Sequence, residues 1–201
     1  MQFSVLVLSL TFHEAAHAWS ANRLGDATAR LLGRVSLNPA VHVDPIGTIA
    51  FPLIAMLTNL PIIGWAKPVP VNVLNLRRHW KRKYMVIAAA GPVSNLLLAT
   101  VAAVGVRLMG FETSPDSVGG PFFQFLLFMV VINVLLAVFN MVPVPPLDGG
   151  NVLAGLLPGR AHDVFNSIRP YGFLILYGLL ISGILWRVVD PIRSVIEDWL
   201  L

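Results

Sequence analysis

Four apolar runs, each close to the length of a membrane-spanning helix, dominate this sequence. They cover residues 2–21, 85–109, 122–141 and 171–189. A helix needs about 20 apolar residues to cross a bilayer. Only 12% of the 201 residues are charged, whereas soluble domains have about 25%. The sequence therefore predicts an all-α, multi-pass integral membrane protein. A soluble protein is disfavoured, because so much apolar surface could not be buried in one small core.

The basic residues set the expected orientation. Five of the fourteen lie in "RRHWKRK" (77–83), between apolar segments. In a membrane protein, such a run indicates contact with lipid headgroups on the cytoplasmic side, and not nucleic-acid binding. We therefore expect the bilayer as a partner, the basic loops in the cytoplasm, and no nucleic acid.

The segment 45–65 is apolar, but Pro52 and Pro61 interrupt it and both of its flanks are basic. A single crossing would place one basic flank on the wrong side of the membrane. We expect a re-entrant or interfacial hairpin here, with a fifth span as the alternative to four. Short extended strands are also expected near the active site, from the alternation in 29–37 and the prolines in 66–72.

The first apolar run contains the motif "HEAAH". His13 and His17 share one helix face, with Cβ atoms about 5–6 Å apart, so both imidazoles can bind one metal ion. H-E-x-x-H supplies two zinc ligands and a carboxylate, here Glu14, that activates water. Ionisable groups inside a spanning helix are costly and mark functional sites. The alternative is a purely structural set of hydrogen bonds between helices.

A third metal ligand must be His, Asp or Glu, because the chain contains no cysteine. Asp148 in "NMVPVPPLDGG" is the best candidate. The prolines before it must end the preceding span, and irregular backbone at membrane depth is tolerated only where protein or a watery cavity surrounds it. The alternative is an interfacial turn in which Asp148 caps the next helix, with His42 or Asp44 next as ligands.

Together these motifs resemble the site-2 protease family of intramembrane zinc metalloproteases. Besides "HEAAH" (13–17), the sequence has "NMVPVPPLDGG" (140–150), which fits the N-x-x-P-x-P-x-x-D-G pattern of that family, and "GPVSN" (91–95), which is similar to its G-x-x-x-N element. "GWAKPVPVN" (64–72) is similar to a segment of compact bacterial and archaeal members. The absence of a PDZ-like or nucleotide-sensing domain implies this compact type.

The resemblance implies one Zn²⁺ per chain, bound by His13, His17 and Asp148, with Glu14 as general base and acid. It also implies that Asn95 and Asn140 position the substrate or its oxyanion. Physical chemistry agrees, because an amide in lipid needs a partner and a donor near the zinc can stabilise developing charge. The alternative for each asparagine is a hydrogen bond between helices.

The expected substrates are transmembrane segments of other proteins, cleaved in regulated intramembrane proteolysis. A substrate would pair with a docking strand formed by five residues, which are Trp65, Ala66, Lys67, Val69 and Val71. We expect one membrane-embedded domain over 1–201, with a catalytic core (1–150) and a C-terminal helix pair (151–201), in a prokaryotic plasma membrane with the active-site end towards the cytoplasm. A silent membrane scaffold and a metal transporter are the alternatives, and the oligomeric state is open.

Overall fold

The computed structural model describes residues 1–50, 57, 66–110 and 119–201, with the backbone alone for 46, 48 and 49. Within these ranges the chain forms α-helices, which are α1 (Gln2–Leu24), α2 (Thr28–Leu31), α3 (Trp80–Met109), α4 (Gly120–Asn140), α5 (Asp148–Leu156), α6 (Gly159–Ile168), α7 (Gly172–Ile181) and α8 (Ile184–Leu200). Short 3-10 turns cover Pro39–His42 and Arg169–Tyr171, and a π-type turn covers Pro45–Ala50. The described part of the chain is therefore helical, as predicted.

Three described stretches are long and apolar enough to cross a membrane, namely Trp80–Met109, Gly120–Asn140 and Gly159–Ile181. Helix α1, at 23 residues, has sufficient length. It is less apolar than the other three because it carries several buried polar side chains, which are Ser9, Thr11, His13, Glu14, His17 and Ser20. The chain is a membrane protein, and the total of four or five spans stays a prediction.

The prediction of one continuous span over 171–189 is wrong. Helix α7 ends at Ile181, and Gly183, with a φ of 72°, separates it from α8. Glycine tolerates this left-handed conformation, in which other residues are strained. Helix α8 then packs along α4, and near its end the backbone oxygen of Trp199 accepts a 3.0 Å hydrogen bond from Arg107 Nη2.

The prediction of a strand in 29–37 is also wrong. Thr28–Leu31 is a helical turn, and the residues after it are irregular. Leu31 and Leu32 are both exposed, so the alternation does not create one buried face. The described residues 66–72 belong to no sheet. Most of the predicted hairpin 45–65 lies outside the described residues.

Helix α3 lies at the centre of the fold, against α1, α4 and α5. Its small residues Ala99, Ala102 and Ala103 are buried against Val130 and Val134 of α4. Small side chains let helices approach closely, which is how helices associate in lipid without a hydrophobic driving force. The outer surface instead carries exposed large apolar side chains, among them Leu97, Val101, Val104, Leu108, Phe122, Leu174 and Ile181. This arrangement places one face of α3 directly against the histidines of α1.

Candidate metal centre

Helix α1 presents His13 and His17 on the face that packs against α3. The contact on α3 is Gly91, where an added Cβ would lie 2.3 Å from His17 Nε2 and 2.6 Å from His13 Nε2. Because any side chain at this position would overlap the imidazoles, the glycine lets the backbone of α3 form one wall of the site. Both histidines are buried, at 4% and 8% exposure.

Asp148 reaches the same point from the other side. Helix α4 ends at Asn140, as the prolines predicted, and the chain folds back so that Asp148 begins α5. This chain reversal requires glycine at position 149, because a Cβ there would lie 2.2 Å from the backbone oxygen of Met141. The close backbone packing fixes the start of α5, and with it the carboxylate.

Three donor atoms converge at this point. His13 Nε2 lies 3.1 Å from His17 Nε2 and 3.1 Å from Asp148 Oδ2, and His17 Nε2 lies 3.3 Å from the same oxygen. Tetrahedral zinc with bonds of about 2.0–2.2 Å separates neighbouring ligand atoms by about 3.3 Å. The triangle of donors therefore has the dimensions of one face of a zinc coordination tetrahedron, so these three residues fit a zinc ion.

Hydrogen bonds on the far side of each imidazole fix which nitrogen carries the proton. His17 Nδ1 donates to the backbone oxygen of Ile87 at 2.7 Å, and His13 Nδ1 donates to Asn95 Oδ1 at 2.6 Å. In the neutral imidazoles, both Nε2 atoms then carry lone pairs that face each other and a carboxylate oxygen. A proton can bridge only two of these atoms, whereas a metal ion satisfies all three.

Two buried oxygens support this interpretation. Asp148 Oδ2 makes no hydrogen bond of proper geometry with the described residues, although both imidazoles are close to it. Glu14 Oε2 is also buried and without a described hydrogen-bond partner. A buried polar oxygen without a partner costs about 1–3 kcal/mol, and more when it is charged. A bound cation would remove the cost at Asp148, and a water molecule or substrate group would remove it at Glu14.

Comparison with known proteins assigns the family. The family model "Peptidase family M50" matches residues 1–182. The chain belongs to this family, the site-2 proteases. It is 35% identical to "Putative zinc metalloprotease YwhC" of Bacillus subtilis, over 94% of this chain and 85% of that protein. It is 30% identical to "Putative zinc metalloprotease Rip2" of Mycolicibacterium smegmatis, over 90% of this chain and 66% of that protein. No solved structure gives a significant match.

The candidate metal ligands that the sequence suggested fall into two groups. His13, His17 and Asp148 are the described His, Asp or Glu side chains that come together as a possible metal site. Two weaker candidates are engaged elsewhere, since His42 Nε2 contacts the backbone oxygen of Ser36 at 2.9 Å and Asp44 Oδ1 caps the following turn by accepting from Gly47 N.

The two asparagines occupy different environments. Asn95 is fully buried, and besides holding His13 its amide nitrogen donates to Asn133 Oδ1 at 2.8 Å and to the backbone oxygen of Ser9 at 3.3 Å. Asn140 Nδ2 donates to the backbone oxygen of Leu136 in its own helix. A role at the substrate oxyanion stays a prediction for both, and the geometry gives Asn95 a further role in orienting His13.

Sequence reasoning singled out Asn95 and the "GPVSN" element, but it missed that three groups on α3 surround the histidines. Ile87 O, Gly91 and Asn95 lie four residues apart on one face of α3, and all three contact the imidazoles. The repeat of four marks a helix face, which could have identified Gly91 through the "GPVSN" motif. Nothing in the sequence singled out Asn133, which supports Asn95 from α4.

The predicted docking segment is tied by hydrogen bonds at both ends. Arg34 Nη2 donates to the backbone oxygen of Lys67, and Lys67 N donates to the oxygen of His42 at 2.8 Å. At the other end, buried Asp26 accepts from Asn72 N at 2.7 Å. Trp65 lies outside the described residues, whereas Ala66, Val69 and Val71 are partly buried.

Asp26 is the main anchor of that segment. Burial favours its neutral form, but hydrogen bonds from Thr28, Asn75 and Asn72 outweigh this effect and hold the pKa of the Asp26 carboxyl below its usual value. The carboxylate is therefore charged at neutral pH, and it joins the end of α1 to residues 72–75.

Proposed function

We propose that this protein is a zinc-dependent endopeptidase that hydrolyses a peptide bond within or next to a transmembrane segment of another protein. The observation that carries the proposal is the convergence of His13, His17 and Asp148 beside the unpaired carboxylate oxygen of Glu14. The named function of the relatives supports zinc as the metal. The apolar helices around the site support a substrate that lies in the bilayer.

The chain supplies the residues for hydrolysis. His13, His17 and Asp148 would hold the ion, and a bound zinc ion supplies a Lewis acid and lowers the pKa of water to about 7. Glu14 takes a proton from the attacking water as the oxygen forms a bond to the scissile carbonyl carbon. Glu14 then returns this proton to the amide nitrogen as the carbon–nitrogen bond breaks. The Asn95 hydrogen bond keeps His13 in the tautomer that the site needs.

A transmembrane substrate must unwind locally, because a helix hides its carbonyls in its own hydrogen bonds. Residues 66–72 can hold the unwound stretch by strand addition. No described residue accepts a hydrogen bond from the N–H groups of Val69 and Val71. In an extended segment the N–H groups of Val69 and Val71 would lie on one side. Pro68 and Pro70 have no N–H to offer on the other side. The segment therefore presents a single pairing edge.

The positive charges at the ends of the helices support an orientation of the protein in the membrane. The run 77–83 leads into the first turn of α3, and Arg160 and Arg169 precede α7, so the same side of the bundle carries both groups of positive charge. The positive-inside rule places this side in the cytoplasm. The docking segment joins directly to 77–83, so the substrate would reach the site from the cytoplasmic half of a prokaryotic plasma membrane.

Replacing Glu14 by glutamine tests the proposed chemistry. Purified wild-type protein in liposomes should cleave a reporter with a single transmembrane segment, and Glu14→Gln should lose this activity while it still binds one zinc ion. Glu197→Gln, on the distant helix α8, is the matched control and should remain active. Turnover by Glu14→Gln would contradict the assigned role, and zinc binding by wild type without any cleavage would favour a scaffold.

The natural absence of cysteine makes the docking segment easy to test. Val71→Cys in the Glu14→Gln background should crosslink to a reporter with a cysteine near its cleavage site. Ala161→Cys, at an exposed position on α6, is the control and should not crosslink. Equal crosslinking from both positions would contradict strand addition at residues 66–72.

A further inference from the structure

A second cleft lies apart from the metal centre, at the basic end of the helix bundle. Its volume is about 220 Å³, and it opens between the first turns of α3, the end of α5, and α6. Helices α3 and α5 touch at its floor, where a Cβ at Gly155 would lie 2.9 Å from Met85 Cβ and 3.1 Å from the backbone oxygen of Lys81. Sites that enclose a whole small molecule have about 300–1,000 Å³, so this cleft suits a compact group.

The charged groups that line the cleft are positive. Lys81 and Arg169 both contribute to its wall, and no carboxylate of the described residues does. Arg169 Nη2 donates to Asn151 Oδ1 at 2.7 Å, while its buried Nε has no hydrogen-bond partner among the described residues. Helix α3 begins beside the cleft without a side-chain cap, so the N–H groups of its first turn add partial positive charge.

The histidine in the wall, His162, already has a hydrogen-bond partner at each ring nitrogen. His162 Nδ1 donates to the backbone oxygen of Ala154 at 2.7 Å, and its Nε2 accepts from Asn166 Nδ2 at 2.7 Å. The imidazole therefore braces α6 against α5 and packs edge-on against Trp80. The charged donors available to a ligand are the ammonium group of Lys81 and the guanidinium of Arg169.

We propose that this cleft binds the phosphate headgroup of an anionic phospholipid. Helix α3 is long and apolar enough to span the bilayer, and the cleft lies at its basic end. Trp80 and Tyr84 form part of the wall, and such aromatic side chains concentrate at the level of the lipid headgroups. Basic pockets between membrane helices bind anionic headgroups. The apolar side chain of Val71 would contact the glycerol part of the lipid.

The experiment uses the full-length protein in a neutral detergent, with native mass spectrometry to count bound lipids. Phosphatidylglycerol is the anionic probe, and phosphatidylcholine and inorganic phosphate are the comparisons. Wild type should bind one phosphatidylglycerol in preference to phosphatidylcholine. Lys81→Gln should weaken this binding about fivefold, since a basic residue near a lipid surface contributes about 1 kcal/mol. Lys81→Gln leaves the Arg169–Asn151 hydrogen bond in place. Arg169→Gln is the second variant.

Arg160→Gln is the matched control, because it removes one exposed positive charge from α6 outside the cleft. It should bind phosphatidylglycerol as wild type does. Equal weakening by Arg160→Gln and Lys81→Gln would overturn the assignment, because only net charge would then matter. Displacement of the lipid by inorganic phosphate at similar concentration would reassign the cleft to a soluble phosphate. Unchanged lipid binding in Lys81→Gln together with slower reporter cleavage would reassign it to the substrate.

Discussion

Replacing Gly91 by alanine is expected to weaken metal binding about 100-fold. The added Cβ would lie 2.3 Å from His17 Nε2 and 2.6 Å from His13 Cε1 and Nε2. Ordinary contacts between such atoms are about 3.5–4.0 Å, so both rings would have to move by about 1 Å. Zinc–ligand distances tolerate only about ±0.2 Å, so this displacement is far outside the tolerance of the site.

The imidazoles cannot move without further loss. Their Nδ1 atoms are held at 2.7 Å from the backbone oxygen of Ile87 and 2.6 Å from Asn95 Oδ1. Loss of one such outer hydrogen bond typically weakens metal binding 10–100-fold. Because the alanine disturbs both rings at once, the expected effect is at the upper end of this range, or about 2.7 kcal/mol.

The assay is a zinc titration of the purified protein against a chromophoric chelator, with circular dichroism to show that the helices remain. Gly105→Ala is the matched control on the same helix. A Cβ there would meet only the end of the Leu126 side chain, 2.9 Å away, which can rotate. The control should bind zinc as wild type does. If Gly91→Ala also binds zinc with wild-type affinity, α3 does not form a wall of the metal site.

Three further changes have expected outcomes. Asn95→Ala should weaken zinc binding about 10–100-fold in the same titration, whereas Asn140→Ala, which removes a bond within its own helix, should not. Asp26→Asn should lower the thermal stability at pH 7. The stability difference between wild type and Asp26→Asn should disappear as the pH falls from about 4 through the lowered pKa of Asp26, because a depressed carboxyl pKa stabilises the fold only above this window. A difference that persists at lower pH would contradict the role of Asp26 as an anchor. Arg34→Gln should slow reporter cleavage without zinc loss, since it releases Lys67 at the start of the docking segment, and unchanged cleavage would count against that segment.

The parts of the site that could be predicted from the sequence depend on local patterns. The spacing of His13 and His17 fixes a shared helix face wherever the helix lies, and the prolines after Asn140 end α4 in any environment. Asp148 could be proposed because it follows this break directly. In each case a few neighbouring residues determine the geometry.

The parts that could not be predicted depend on which helix faces meet. The contact of Gly91 with the imidazoles and the support of Asn95 by Asn133 arise only when α3 packs between α1 and α4. The break at Gly183 escaped prediction because a glycine within an apolar run is compatible with a continuous helix as well as with a turn.

The most direct test of the account is the zinc content of detergent-purified protein, measured for wild type, Asp148→Ala and the control Asp163→Ala, which changes an exposed acid on α6. The account predicts one zinc ion per chain in wild type and control, with marked loss in Asp148→Ala. One zinc ion in all three proteins would remove Asp148 from the metal site, and no zinc in wild type would contradict the assignment of a zinc endopeptidase.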